Sequence, residues 1–139
     1  MFNKNYYERL KCWKDFRNEL EFSDTPFDDV LKFWSLAPLS PMQADPFDNQ
    51  TWPNPWEMIE ENSYCEFVKI LAICYTLQLT ERFSQSHFEI HIVLDKEEEQ
   101  MVYLLFVDNQ PIGYYNEGDI DSSKLFKLDC QMQHIMHPF

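Results

Sequence analysis

Glycine is nearly absent from this chain, which contains only Gly113 and Gly118. Loops that cradle phosphate groups need several glycines at fixed spacing, because the backbone has to approach the phosphate oxygens closely. Two glycines cannot supply a GxGxxG motif or a P-loop. The classes of nucleotide-binding enzyme that depend on such loops are therefore excluded.

Paired cysteines are also missing. The four cysteines are scattered and form no CxxC motif: Cys12, Cys65, Cys74 and Cys130. Because zinc ligands usually occur as closely spaced pairs, we expect no structural metal and no cofactor, and we expect reduced thiols. His134 and His137 would share one face of a helical tail, but the adjacent Pro138 favours a frayed chain end over a metal site.

Long hydrophobic runs are absent as well. No apolar stretch reaches the roughly 18 residues that a transmembrane helix requires. The first residues, MFNKNYYERLKCWKDF, contain no apolar segment of the kind found in secretory signals. We expect a protein that is neither secreted nor bound to a membrane.

Basic residues are scarce. The chain has 11 lysines and arginines and 24 aspartates and glutamates, so its formal net charge is −13. Such a surface repels phosphate groups, so direct binding to nucleic acid is not expected. The charge fits three alternatives: simple solubility, a basic protein partner, or imitation of nucleic acid.

The pattern of apolar residues predicts an α+β fold. Apolar positions at steps of three and four, from Tyr7 to Leu20, predict a first helix, and Thr25 with Pro26 begins a second. The segment VKILAICYTLQL is apolar nearly all round and predicts a buried central helix. Alternation from Phe88 onward then predicts three or four antiparallel strands against which this helix packs.

One domain of residues 1–139 is predicted, in three parts. Residues 1–37 form a helical N-terminal part, residues 38–54 a segment rich in proline and tryptophan, and residues 55–139 a helix plus the sheet. The middle segment is long for an irregular stretch, so we expect it to be packed down or functional. Trp52 and Trp56 either pack it against the core or form an exposed recognition surface.

Cys65 is the candidate nucleophile. A capping box of Ser63 and Glu66 predicts that Cys65 occupies the second position of the central helix, where amide groups and the helix dipole stabilise a thiolate. A cysteine on a helix, followed by strands with histidine and an acid, resembles the core of transglutaminase-like cysteine enzymes. In that family, histidine deprotonates the thiol and the acid orients the histidine.

The resemblance implies a candidate triad of Cys65, His91 and Asp108. The family places its histidine near the start of the second strand, where this chain has Gln100, Met101 and Val102. The leading interpretation is therefore a buried structural thiol in a protein without enzymatic activity. A cysteine hydrolase or acyltransferase is the alternative.

Acidic residues cluster in and after the proline-rich segment. Together with the two tryptophans they are the candidate binding residues: Trp52, Trp56, Asp45, Asp48, Glu57, Glu60 and Glu61. Aligned on one face, the carboxylates would attract a basic protein, or imitate DNA and inhibit a DNA-binding protein of the host.

The block DPFDNQTWPNPWEMI, with YCEFVKILAICYTLQL and FVDNQPIGY, resembles small uncharacterised proteins of tailed phages, especially T4-like phages of cyanobacteria. This resemblance implies a phage origin and no particular activity. We therefore expect a non-enzymatic protein that acts through protein–protein contacts, as a virion component or by binding a host factor. Its partner would be a phage structural protein or a basic host protein, in the virion or the host cytoplasm.

Overall fold

The computed structural model describes residues 1–114 and 128–139 and confirms the α+β prediction. Within these residues, four α-helices and one short 3-10 helix precede the four strands of an antiparallel sheet. The elements are α1 (Tyr6–Leu20), α2 (Pro26–Ser35), a 3-10 helix (Asn49–Thr51), α3 (Pro55–Glu61), α4 (Glu66–Gln78), β1 (Phe88–Asp95), β2 (Gln100–Val107), β3 (Gln110–Tyr114) and β4 (Leu128–Met136).

A local capping signal sets the start of α3. The Asn54 side chain accepts a hydrogen bond from the Glu57 amide, and the Glu57 carboxylate accepts one from the Asn54 amide. This reciprocal pair satisfies two backbone donors that a helix leaves free at its N-terminus.

The start of α4 differs from the prediction. The helix begins at Glu66, so Cys65 is its N-cap residue and not its second residue. The predicted capping box of Ser63 and Glu66 does not form. The Cys65 side chain makes no capping hydrogen bond.

The buried face of α1 matches the predicted one except at Tyr7, and it also includes Arg9. Tyr7 is exposed, whereas Trp13 and Leu20 are buried as expected. Arg9 is buried as well, because its guanidinium donates hydrogen bonds to the carbonyl oxygens of Ile59 at 3.0 and 3.1 Å and of Glu60 at 3.2 Å. The cation therefore caps the C-terminal end of α3, where the helix dipole favours positive charge.

Helix α4 is the centre of the core, as the sequence predicts. Every residue from Phe67 to Gln78 is buried. Its Thr76 hydroxyl accepts hydrogen bonds from Trp13 Nε1 at 2.9 Å and from Trp34 Nε1 at 3.0 Å, which ties α1 and α2 to the central helix. Lys69, also buried, donates to the carbonyl of Ala37 at 2.6 Å and fixes the chain after α2.

The sheet has the order β3-β2-β1-β4, and β1 is antiparallel to both of its neighbours. Because side chains alternate across a strand, each strand has one inner face toward α4 and one outer face. Phe88, Ile90 and Ile92 of β1 belong to the core that contains α4. Val93 forms a second apolar cluster on the outer face, together with Val102 and Leu104 of β2.

The C-terminal segment corrects another prediction. Residues 128–136 form β4 and pair with β1 along its whole length, so the tail is neither helical nor frayed in this range. His134 lies on β4, and its ring contacts Trp52 edge to face at 4.6 Å. The sequence also favours a short strand or helix from Ser122 to Asp129, but most of that range lies outside the described residues. Among the described helices, none has both the length and the hydrophobicity needed to cross a bilayer.

Candidate functional site

A cleft opens where the loop after α2 passes the start of α4. It has a volume of about 240 Å³. Three parts of the chain line it: the loop between α2 and α3, the first turn of α4, and the middle of β2. The lining residues are Leu39, Ser40, Met42, Cys65, Glu66, Phe67 and Tyr103.

The wall of the cleft on the sheet side is Tyr103. Its side chain is only 7% exposed, and its ring lies edge-on to the ring of Phe67 at 5.2 Å. Burial raises the pKa of the phenol, and the nearby carboxylates of Glu66 and Asp45 raise it further. Tyr103 is therefore a neutral hydroxyl at physiological pH that can donate or accept a hydrogen bond but cannot serve as a base.

The rim of the cleft is a loop that is held in place. In the α2–α3 loop, residues 36–54, the Ser40 amide donates to the Tyr64 carbonyl at 3.0 Å. Further along, Trp52 Nε1 donates to the Asp45 carbonyl at 2.8 Å. At its end the hydroxyl of Tyr75, a residue of α4, donates to the Pro53 carbonyl at 2.9 Å. These hydrogen bonds give an irregular segment a defined position over the core.

The candidate triad is not brought together. Cys65 lies beside Tyr103 on the inner side of the sheet and is 3% exposed. His91 pairs with Leu104 and stacks on Phe106, with ring centroids 4.1 Å apart, so it lies on the outer face. Because the sheet separates thiol and imidazole, this histidine cannot deprotonate Cys65.

Asp108 has a structural role in place of the predicted catalytic one. It lies in the turn between β2 and β3 with a left-handed backbone, φ 50°. Its carboxylate accepts a hydrogen bond from the His87 amide at 2.8 Å, and its own amide donates to the His87 carbonyl at 2.8 Å. Asp108 thus joins this turn to the start of β1.

A carboxylate between two histidines occupies the outer face of β1. Glu89 contacts His87 Nε2 at 2.8 Å and His91 Nε2 at 3.4 Å. The hydrogen bond with His87 is the main cause that lowers the pKa of Glu89, although partial burial opposes it. Within residues 1–114 and 128–139, no group of three or more His, Cys, Asp or Glu side chains has the arrangement of a metal site.

The two tryptophans proposed for binding have different environments. Trp52 is half-buried and packs against Phe67 with ring centroids 5.0 Å apart, so it anchors the α2–α3 loop to α4. Trp56 on α3 is 46% exposed, and its ring contacts Trp13 at 5.7 Å. Of this pair, Trp56 offers more surface to a partner.

The five candidate acids are all exposed, and three of them also cap local structure. Asp45 accepts a hydrogen bond from the Phe47 amide, and Asp48 accepts one from the Gln50 amide. Glu57 completes the capping box of α3. Glu60 and Glu61 extend from the last turn of the same helix.

Of the seven residues that line the cleft, sequence reasoning singled out only Cys65 and Glu66, and it missed the other five, among them Tyr103, Leu39 and Met42. The alternation of β2 places Tyr103 on the same face as the core residue Leu105, but no pattern indicates that Cys65 lies beside it. Leu39 and Met42 each follow a proline and belong to no periodic apolar pattern. Both side chains are mostly exposed.

Comparisons with protein-family models, with curated proteins and with solved structures gave no match. The phage-type and transglutaminase-like resemblances therefore stay predictions.

Proposed function

We propose that this protein is a non-enzymatic binding protein of phage origin, which docks a basic protein partner through the rim of the cleft. The partner is a phage structural protein or a host factor. The α2–α3 loop supplies the apolar contact, and the acids near it supply the charge.

The observation that carries the proposal is the concentration of exposed apolar side chains on the α2–α3 loop. Nine large apolar side chains are exposed among the described residues, and four of them lie between positions 36 and 47: Leu36, Leu39, Met42 and Phe47. Exposed apolar groups on an anchored segment add nothing to the core, and such patches are typical of interaction surfaces. An ordered loop also loses little conformational entropy on binding.

The charge of this surface selects the class of partner. Asp45 and Asp48 lie in the same loop, Glu66 lies at the cleft, and the whole chain has a net charge of −13. Acidic groups around an apolar patch favour a basic partner by speeding encounter and by repelling acidic proteins. The same electrostatics disfavour direct contact with nucleic acid.

The size and lining of the cleft also support a binding role. A volume of about 240 Å³ is smaller than the roughly 300–1,000 Å³ typical of small-molecule sites, but it suits one side chain of a partner. The lining includes a thiol and no imidazole among the described residues. Both features favour docking over catalysis by Cys65.

The test has two steps: capture of candidate partner proteins by this chain, and then measurement of the binding of each purified candidate. The immobilised chain is exposed to lysate of infected host cells and to disrupted phage particles, and each captured protein is purified and titrated by calorimetry. Replacing two exposed rim residues, in Leu39→Ser/Met42→Ser, should weaken binding by at least about tenfold, the loss typical of anchor residues. Phe22→Ser is the matched control, because Phe22 is 89% exposed and lies on another surface, at the end of α1.

The proposal fails if no purified candidate binds, or if the rim variant binds as tightly as the Phe22→Ser control. Capture from particles alone indicates a virion component, and capture from lysate alone indicates a host-factor binder. Binding that does not weaken with rising salt would contradict the proposed basic partner.

A further inference from the structure

Two polar groups in the cleft have no partner in the described part of the chain. The Tyr103 hydroxyl belongs to a side chain that is 93% buried, and no hydrogen bond to it is observed. The Glu66 carboxylate, at the first position of α4, likewise has no hydrogen bond or ion pair. The Tyr103 oxygen is not among the fully buried polar atoms, so it opens to the cleft and is available to a ligand that enters there.

The charge around the hydroxyl excludes an anionic ligand. Glu66 and Asp45 both place negative charge near Tyr103, and their effect on the phenol adds to that of burial. Amide groups at the start of α4 would attract an anion in isolation. Here the Glu66 carboxylate lies in the first turn of the same helix, and its negative charge would repel an anion.

Apart from Ser40, the remaining walls of the cleft are largely apolar. Leu39 and Met42 lie at the mouth, and the rings of Phe67 and Tyr103 meet edge-on inside. A ligand that fits needs an apolar stem, a positive head and a surface that packs on aromatic rings. The arginine side chain combines these three properties, since its guanidinium is planar, donates several hydrogen bonds and stacks on aromatic rings.

We propose that the cleft binds an arginine side chain of the partner protein. The guanidinium donates to the Glu66 carboxylate and to the Tyr103 oxygen, while the methylene stem packs on Leu39 and Met42. This inference is built on the proposed function and names the residue of the partner that enters the cleft. A lysine ammonium is the weaker fit, because it is a strongly hydrated point charge and does not stack.

The inference can be tested without the partner, by nuclear magnetic resonance titration with N-acetyl-arginine amide. We expect saturable shifts centred on Cys65, Glu66 and Tyr103. N-acetyl-citrulline amide has nearly the same shape without the charge and should bind about tenfold more weakly or not at all, because hydrogen bonds to a charged group are the stronger kind. N-acetyl-lysine amide is the second comparison, and we expect it to bind more weakly than the arginine compound.

Two variants test which residues of the cleft contact the guanidinium. Glu66→Gln should weaken binding of the arginine compound about tenfold, and Tyr103→Phe several-fold, since each removes one acceptor. Glu19→Gln, at an exposed glutamate on α1, is the matched control and should bind as the wild type does. The spectrum of each variant also reports whether it is folded. If Tyr103→Phe perturbs the core, Glu66→Gln still tests the cleft, because it changes a single half-buried carboxylate.

Three results would overturn the inference: no saturable shift up to ~100 mM, equal binding of the citrulline or lysine compound, or shifts unaffected by Glu66→Gln. A failure of the arginine assignment can be distinguished from a failure of the proposed function. If the arginine compound does not bind but Leu39→Ser/Met42→Ser still abolishes partner binding, only the arginine assignment fails. If the arginine compound binds and the rim variant leaves partner binding intact, docking at the rim fails.

Discussion

Thr76 shows how one hydroxyl can hold three helices together. It accepts hydrogen bonds from the indole N–H groups of Trp13 and Trp34 and donates to the Ala72 carbonyl at 2.6 Å. All three side chains are fully buried. Every polar atom of this group is thereby satisfied inside the core, where an unpaired N–H group is costly.

Replacing this hydroxyl tests its importance. Thr76→Val keeps the shape but leaves two buried indole donors unpaired, so we expect the free energy of unfolding to fall by about 2–5 kcal/mol. Thr76→Ser keeps the hydroxyl and loses one methyl group, with an expected loss of about 1 kcal/mol. Urea unfolding followed by tryptophan fluorescence measures both. Equal losses for the two variants would mean that the hydroxyl contributes little.

The cysteines give a second test at the scale of single residues. Cys130 is exposed, Cys65 is 3% exposed, and burial raises the pKa of the fully buried Cys74. In the native state at neutral pH, iodoacetamide should therefore modify Cys130 first and Cys65 and Cys74 only on unfolding. Peptide mapping by mass spectrometry follows each site. If Cys65 reacted as fast as Cys130, its thiol would be activated, and the cysteine-enzyme alternative would regain support.

At the scale of elements, Arg9 joins α1 to the C-terminal end of α3 and also bonds the Lys4 carbonyl. Arg9→Met keeps most of the apolar stem and removes every donor, so carbonyl groups at the end of α3 lose their partner. We expect a loss of about 2–4 kcal/mol in unfolding free energy. Hydrogen exchange should quicken in α3 before it does in α4. Lys11→Met is the control, because Lys11 is exposed on the same helix. A loss of equal size in the control would refute the capping role.

Several elements follow from local sequence because their causes are local. Asn54 and Glu57 begin α3 through a reciprocal cap, and Pro26 begins α2. The alternation of Phe88, Ile90 and Ile92 with Glu89 and His91 already places the histidine opposite the apolar face of β1. The candidate triad with His91 conflicts with that alternation, since Cys65 packs on the apolar side.

At the scale of the whole molecule, the net charge of −13 sets the response to salt. Repulsion among the acids opposes the compact state, and salt screens it over a Debye length that falls from about 30 Å at 0.01 M to about 3 Å at 1 M. We therefore expect the melting temperature to rise by a few degrees as NaCl increases over this range.

A charge variant provides the control for this effect. Glu60→Lys/Glu61→Lys changes two exposed residues of α3, and because each reversal adds two charges the net charge becomes −13 + 4 = −9. The dependence of the melting temperature on NaCl should be smaller in this variant, as measured by calorimetry. An unchanged or steeper dependence would show that charge repulsion does not limit stability.

The sequence by itself determined the α-helices, the strands β1 to β3 and the buried position of α4, because periodicity and capping act between neighbours in the chain. Only the tertiary structure decided that Arg9 is buried, that Trp52 is an anchor, and that Tyr103 lies beside Cys65. These contacts join residues far apart in the chain. A pattern shows which side chains share a face of an element, but which element covers that face depends on how the helices, the α2–α3 loop and the sheet pack together.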